Sequence, residues 1–359
     1  MKICILSIVN IKHMSLVSLY TSYFDKNGIE YDIIYIDKYN EVERTTAKRV
    51  YRYPIKINRE WNKLKKLSVY WGFKKYAQNL IKTNQYDFII VWRTETAIMF
   101  ADYLSKKMKD KYCVNIRDYC MEKKLFVFSR VKKVIKNSSF TTISSEGFKR
   151  FLPKHNYITV HSFNEELLQR CTTKDKLRRL DEPLRICFIG YVRFFEIDKK
   201  LIDALGNDPR YIIQFFGEGS QYLEKYVKEK QISNVEFSRG FQLEETCNFL
   251  ERADVINNLY GYNSIALDTA ISTKYYYALH MNIPILVFKR TFMEDISLRV
   301  GIGFSLDEKF NTLADDFFDW YHSLDFYELR NQCKKELDRI KISNSVFGQV
   351  LDNTFLQHK

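Results

Sequence analysis

Ile212-Ile213-Gln214-Phe215-Phe216-Gly217-Glu218-Gly219-Ser220 is a run of buried-type residues that ends on a Gly-x-Gly turn, and Gln221–Lys230 continues with helical periodicity. Strand, glycine turn and helix form the repeating unit of a parallel sheet covered by helices. Glycine serves where backbone must turn sharply or approach a partner closely, and a helix start offers unpaired N–H groups to an anion. Alone, the pattern more often marks a tight turn with no ligand.

Working outward, the same rhythm fills the chain. Upstream, apolar runs at Ile3–Val9, Tyr31–Ile36, Phe88–Trp92, Cys113–Ile116 and Thr141–Ile143 alternate with helical patterns such as Leu16–Lys26 and Glu95–Lys109. Around and beyond the opening stretch lie Leu184–Ile189, Val235–Phe237, Val255–Asn257 and Ile285–Phe288. This predicts an α/β chain of two Rossmann-like domains whose strand ends face a central cleft. The charged run from Lys174 to Pro183 reads as the boundary. The expected domains are 1–176 and 177–335, with a helical tail at 336–359 packing back toward the first domain. A chain of 359 residues is too long for one ordinary core.

Composition narrows the class. No stretch approaches the ~20 apolar residues of a membrane span, and the apolar start Met1–Val9 is too short for a secretory leader. Seven scattered cysteines without a CxxC pair read as reduced, buried thiols of a cytoplasmic protein. Six isolated histidines give no metal-ligand spacing. Basic residues exceed acidic ones by 57 − 44 = 13. The stretch Arg44–Lys82 holds 12 basic residues and one acid, so it carries 11 of those 13 charges. Within it, Asn58–Lys82 mixes Trp61, Tyr70, Trp71, Phe73 and Tyr76 with lysines and Arg59. Such a segment suits an anionic membrane surface, and it equally suits a core helix with a solvated basic face. No nucleic-acid module is visible.

Two further segments carry chemistry. In Ile271-Ser272-Thr273-Lys274 through Asn282-Ile283-Pro284, Ser272 or Thr273 is a natural helix N-cap, Asn282 can take the left-handed position after the helix, and Pro284 ends it. The first turn then offers hydroxyls, N–H groups and Lys274 to a phosphate; a plain capped helix with a solvated lysine would look the same. In Ile189-Gly190-Tyr191-Val192-Arg193, the glycine ends a strand and brings Arg193 to its carboxyl end.

Taken in order, these segments resemble the GT-B glycosyltransferases, especially the glycosyltransferase family 4-like group of bacterial surface-polysaccharide enzymes. The resemblance covers most of the chain. It rests on Val114-Asn115-Ile116-Arg117-Asp118, Phe140 to Gly147, Gly217-Glu218-Gly219-Ser220, Asn234 to Phe237 with Gly240-Phe241, Ala253-Asp254-Val255, and Thr273-Lys274 through Pro284. It implies transfer of a sugar from a nucleotide-sugar donor to a saccharide or lipid-linked acceptor in capsule or surface polysaccharide synthesis. It further implies retained anomeric configuration, no metal and no cofactor.

On that resemblance the donor and its diphosphate fall to Arg193, Lys199, Gly217, Gly219, Ser220, Phe241, Tyr260, Ser272, Thr273, Lys274 and Tyr277. Positive groups stabilise the leaving diphosphate. Asp118 and Arg117 are the candidate catalytic residues, Asp118 deprotonating or positioning the acceptor hydroxyl; a surface ion pair is an equal reading. Asn10 and His13 are acceptor candidates. The expected location is cytoplasmic, peripheral on the inner face of the plasma membrane, with segment 44–82 on the lipid. Three positions depart from the pattern. Tyr277 and Thr269 stand where relatives carry glutamates, and Asn282 stands where they carry glycine. These departures keep two alternatives open, a nucleotide-sugar epimerase of the same fold and a non-catalytic partner of another glycosyltransferase.

Overall fold

The computed structural model describes residues 1–56, 61–307 and 310–356. Asn58, Arg59 and Glu60 of the basic segment lie outside the described residues, as do the side chains of Lys63, Lys66 and Leu67. The chain forms two α/β units, Met1–Val160 with the stretch from Ser343, and His161–Ile342.

In the first unit, β1 (Ile3–Ser7), β2 (Tyr31–Asp37), β3 (Arg49–Pro54), β4 (Phe88–Trp92), β5 (Tyr112–Ile116), β6 (Phe140–Ile143) and β7 (Ile158–Thr159) form a sheet ordered β3-β2-β1-β4-β5-β6-β7. All its pairings are parallel. Strands β1, β2, β4, β5 and β6 are buried along their whole length. That is why they read as unbroken apolar runs rather than alternating ones.

The second unit repeats the plan. Strands β8 (Leu184–Ile189), β9 (Tyr211–Phe216), β10 (Val235–Ser238), β11 (Val255–Asn257), β12 (Ile285–Phe288) and β13 (Gly303–Leu306) run parallel in the order β10-β9-β8-β11-β12-β13. In each unit the strand order reverses beside the first strand, between β1 and β4 and between β8 and β11. Loops leaving those strands diverge and open a crevice at the carboxyl ends.

Strands β3, β7 and β13 were not anticipated. β3 lies inside the basic stretch at the sheet edge and is only partly buried, so its apolar pattern is broken by arginines. β7 has two residues, and β13 is short and half-exposed at its centre.

The units meet at 160/161, not at 176/177. Leu167, Leu168 and Cys171 already belong to the second unit's core. The charged run expected as a linker is pinned there too. Lys174 and Arg178 approach the buried Asp254 at 3.6 and 3.7 Å, and the Arg178 N–H donates to the Tyr321 hydroxyl. The long helix Phe326–Phe355 serves both units in turn. Leu329, Cys333 and Ile340 pack in the second core, and Phe347, Leu351 and Phe355 in the first.

The cysteine expectation needs correction. Cys171 and Cys247 form a disulfide, their Cα atoms 5.0 Å apart across a separation of 76 residues. The short helices Glu165–Gln169 and Thr246–Arg252 bring them together, and no local spacing announces it. Cys4, Cys113, Cys120, Cys187 and Cys333 are free.

Phe355 is 3% exposed and sits edge-on against Phe24 and Phe88, with centroids 5.2 Å from each. Phe355→Ala is expected to destabilise the first unit by about 3–5 kcal/mol, read as a lowered denaturant midpoint with the slope unchanged.

Candidate functional site

The strongest convergence of chemistry lies in the second unit, on loops flanking its crevice. After β8, Gly190 (φ +129°) turns the chain, and its N–H donates to the Phe216 carbonyl at 2.9 Å. After β9, Gly217 (φ +141°) and Gly219 (φ +92°) do the same. The Val192 N–H donates to the Glu218 carbonyl at 2.8 Å. The two loops touch backbone to backbone. A Cβ on Gly217 would stand 2.0 Å from the Gly190 carbonyl oxygen, and one on Gly219 would stand 2.1 Å from that of Val192. The Gly-x-Gly glycines thus let one loop approach the other.

The helix Thr273–Met281 begins and ends as its sequence indicates. The Ser272 side chain accepts from the Lys274 N–H at 3.2 Å, and Asn282 takes the left-handed conformation at φ 55°. That cap uses the Lys274 amide, so what the helix start contributes is above all its side chain. Lys274 is only 3% exposed. Its ammonium donates to the Tyr260 hydroxyl at 2.5 Å and lies 4.0 Å from the Phe188 ring centroid. A Cβ on Gly190 would be 3.6 Å from it. Tyr260 comes from the loop after β11, the other strand of the switch point. Burial pushes its phenol up, but the charge and hydrogen bond of Lys274, with help from Ser272 and Arg193, outweigh that and bring it below the ordinary value.

Around this centre the other expected residues divide. Arg193 is exposed and makes no ion pair among the described residues; its guanidinium lies over the Phe194 ring. Ser220 is fully buried, and its hydroxyl has no hydrogen-bond partner among the described residues. Tyr277 follows Lys274 by one turn, half-buried and close enough to Tyr260 to feel it. Phe241 stacks edge-on with Phe249, which lies flat on Phe216. Thr273 is exposed at the first helical position. Lys199 is not brought to the centre. It pairs with Glu196 at 2.8 Å and lies over Tyr226.

In this unit one residue was missed. Asp198, on the buried face of the helix Phe195–Leu205, is 1% exposed, and neither carboxyl oxygen has a hydrogen-bond partner among the described residues. Burial raises it to about 7, with Lys274 opposing. The only sequence signal was an acid on the apolar stripe Leu201, Ile202, Leu205.

In the first unit a second cluster gathers where β4 and β5 end. Asp118 lies 3.4 Å from Arg93, which also holds Glu95 at 3.1 Å. Arg117 is buried against the Trp92 ring at 5.5 Å. Glu122 is fully buried and accepts from the Cys120 N–H at 2.5 Å. Arg93, Glu95 and Glu122 were not singled out from sequence, although Arg93-Thr94-Glu95 directly follows a strand. Asn10, an acceptor candidate, is tied into its own unit. Its buried amide donates to Asp37 and Glu43, each at 3.0 Å, and accepts from the Lys38 N–H. Burial pushes the Asp37 carboxyl up, but Asn10, Arg52 and two amides more than offset this and hold it at about 2. Asn10 thus brackets two loops, with both amide N–H groups taken. His13 is exposed and shares a 2.8 Å hydrogen bond with the Tyr39 hydroxyl. Among the described residues no group of three or more His, Cys, Asp or Glu could hold a metal ion.

Two outcomes follow. Asp198 has a folded-state pKa near 7 against an ordinary 3.8. The stability that comes from keeping it neutral is therefore present at low pH and is lost as pH rises through about 7. Asp198→Asn should flatten the fall in melting temperature between about pH 5 and about pH 8. Gly217→Ala should cost about 2–4 kcal/mol, from positive φ and the clash with Gly190 together, measured by denaturant unfolding.

No sequence-family profile and no curated protein matches this chain. Solved structures do. Sucrose-phosphate synthase from Thermosynechococcus elongatus is 13% identical with TM-score 0.68, covering 99% of each chain. HepE of Anabaena in complex with UDP is 11% identical with TM-score 0.67, covering 98% of this chain and 100% of that one. A Listeria monocytogenes structure described as a UDP-N-acetylglucosamine 2-epimerase is 8% identical with TM-score 0.60, over 98% and 96%. At these identities the likeness carries the fold, and that fold is GT-B, two Rossmann-like α/β units as in the glycosyltransferases it resembles.

Proposed function

We propose that this protein is a glycosyltransferase that takes a sugar from a nucleoside-diphosphate sugar bound in the second unit. The observation that carries the reading is the buried Lys274 ammonium, set beside Gly190, Tyr260 and Ser272 at the carboxyl ends of β8 and β11. A cation there, with Arg193 nearby in charge, suits a diphosphate and stabilises it as it leaves. HepE of the same fold has been seen with UDP and with UDP-glucose, which supports this donor class. The donor set is completed by Gly217, Gly219, Ser220, Phe241, Thr273 and Tyr277. In this reading no metal or cofactor takes part, and the donor's anomeric configuration is retained. The acceptor is a saccharide or lipid-linked saccharide of bacterial surface polysaccharide. Asp118, held by Arg93, is the general base. The protein works in the cytoplasm, docked on the anionic inner leaflet through segment 44–82. No helix among the described residues is long and apolar enough to cross a membrane.

The epimerase reading has one observation in its favour, the likeness to the Listeria structure. Conversion of a nucleotide sugar with no acceptor present would establish it. Tyr277 in place of an acid favours the non-catalytic partner, which would bind donor without turnover.

A thermal-shift screen against nucleotides and nucleotide sugars tests the site, since a ligand of the native state raises its stability. A shift with at least one nucleoside diphosphate is expected. Lys274→Ala should weaken that ligand about tenfold or more, the worth of a charge-assisted hydrogen bond. Wild-type affinity in this variant would remove Lys274 from the diphosphate site. Asp118→Asn should lower turnover about a hundredfold with donor affinity unchanged; equal turnover would remove it as base.

A further inference from the structure

The first unit has a feature that sugar-nucleotide chemistry does not use. The helices Lys63–Asn84, Thr94–Lys107 and Leu125–Lys136 flank an open groove of about 540 Å³ at the carboxyl ends of β1 and β4. Its apolar wall is Tyr70, Trp71, Ile98, Met99 and Phe126, and the charged groups Lys74, Glu95, Asp102 and Arg130 line it as well. The volume lies within the range of about 300–1,000 Å³ of pockets that take organic ligands. At its mouth stand large apolar side chains that a soluble surface would hide. Trp71 is 55% exposed, Phe126 70%, and the neighbouring Leu125 87%. Leu64, two turns before Trp71 on the same helix face, is 77% exposed. Exposed apolar groups in such a cluster mark an interaction surface.

The charges around the mouth say what kind. The Lys74 ammonium lies 4.9 Å from the Trp71 ring centroid, and the Arg130 guanidinium 5.6 Å from that of Phe126. Lys65 covers Trp61, and Lys123 and Lys124 are exposed just before Leu125. The acids nearby are engaged. Asp102 is bridged by Arg130 and Lys133, and Glu95 pairs with Arg93. Lys74 has no carboxylate partner among the described residues. Apolar groups that can enter hydrocarbon, ringed by cations that stay with headgroups, match an anionic bilayer. A second copy of this chain would bring two basic faces together and repel.

We propose that this cavity takes the hydrocarbon chain of an anionic lipid held in the membrane, with Lys74 and Arg130 at its headgroup. The inference rests on the reading of segment 44–82 as a membrane-docking surface and adds a chain-binding pocket to it. The lipid is then gripped rather than merely attracted. The cavity opens beside the switch point of its own sheet, where an acceptor of the first unit would lie, so a lipid-linked acceptor would be anchored by its tail.

The test uses the full chain and vesicles of phosphatidylcholine with and without phosphatidylglycerol. Wild type should bind the anionic vesicles. Met99→Trp, which narrows the groove, and Trp71→Ser, a surface change that leaves folding alone, should each weaken binding at least about tenfold. Each buried methylene is worth about fourfold. Both variants should keep the wild-type melting temperature and its shift with UDP. Wild-type vesicle affinity in both variants would overturn the pocket while leaving electrostatic docking in place. No vesicle binding by wild type, with the UDP shift intact, would overturn pocket and docking but not sugar transfer. A concentration-dependent dimer abolished by Met99→Trp would also overturn the proposal, because a second copy would then cover the cavity.

Discussion

Burying the Lys274 ammonium is the constraint around which the second unit is arranged. A charge taken out of water costs several kcal/mol unless its surroundings replace the lost hydration. Here the surroundings are the Tyr260 hydroxyl and the faces of Phe188 and Tyr260. No carboxylate lies within ion-pair distance among the described residues; burial pushes Asp198, whose carboxyl Lys274 acts on, up to about 7. A lysine compensated by a phenol and ring faces, and not by an acid, still has capacity for an anion.

That arrangement needs a rigid frame. The helix carrying Lys274 is fixed from behind by Tyr275, whose hydroxyl donates to the buried Glu336, itself paired with Arg299 and Arg339. In front, Gly190, Gly217 and Gly219 let two loops close on each other with no side chain between them. The glycine loops follow β8 and β9 directly, at the carboxyl edge of the parallel sheet. Site and fold therefore answer to the same requirement.

The first unit follows the same geometry with different chemistry. Its strand ends gather Arg93, Glu95, Arg117, Asp118 and Glu122, and beside them a cavity lined by aromatic and aliphatic groups. The basic stretch that dominates the net charge is put to several uses. Arg52 is spent on the buried Asp37. Lys65 and Lys74 lie on exposed or half-exposed indoles.

The sequence alone determined the α/β class, the central strands, and the capped helix with Ser272 at one end and Asn282 at the other. Burial on both faces forces unbroken apolar runs, and caps obey local backbone chemistry, so both are written in consecutive residues. Edge strand β3 escaped notice because its exposed half tolerates arginine. The boundary, the Cys171–Cys247 pair, the bracket role of Asn10 and the isolated Asp198 were decided only by tertiary structure. Each depends on which distant group arrives at a given atom. The Asn10 N–H groups have no assigned partner in sequence until Asp37 and Glu43 are seen to take them. Asp198 looks like any helix acid until its carboxyl is found buried with no hydrogen bond among the described residues. Local pattern records what a residue prefers; the fold decides what is left for it to bind.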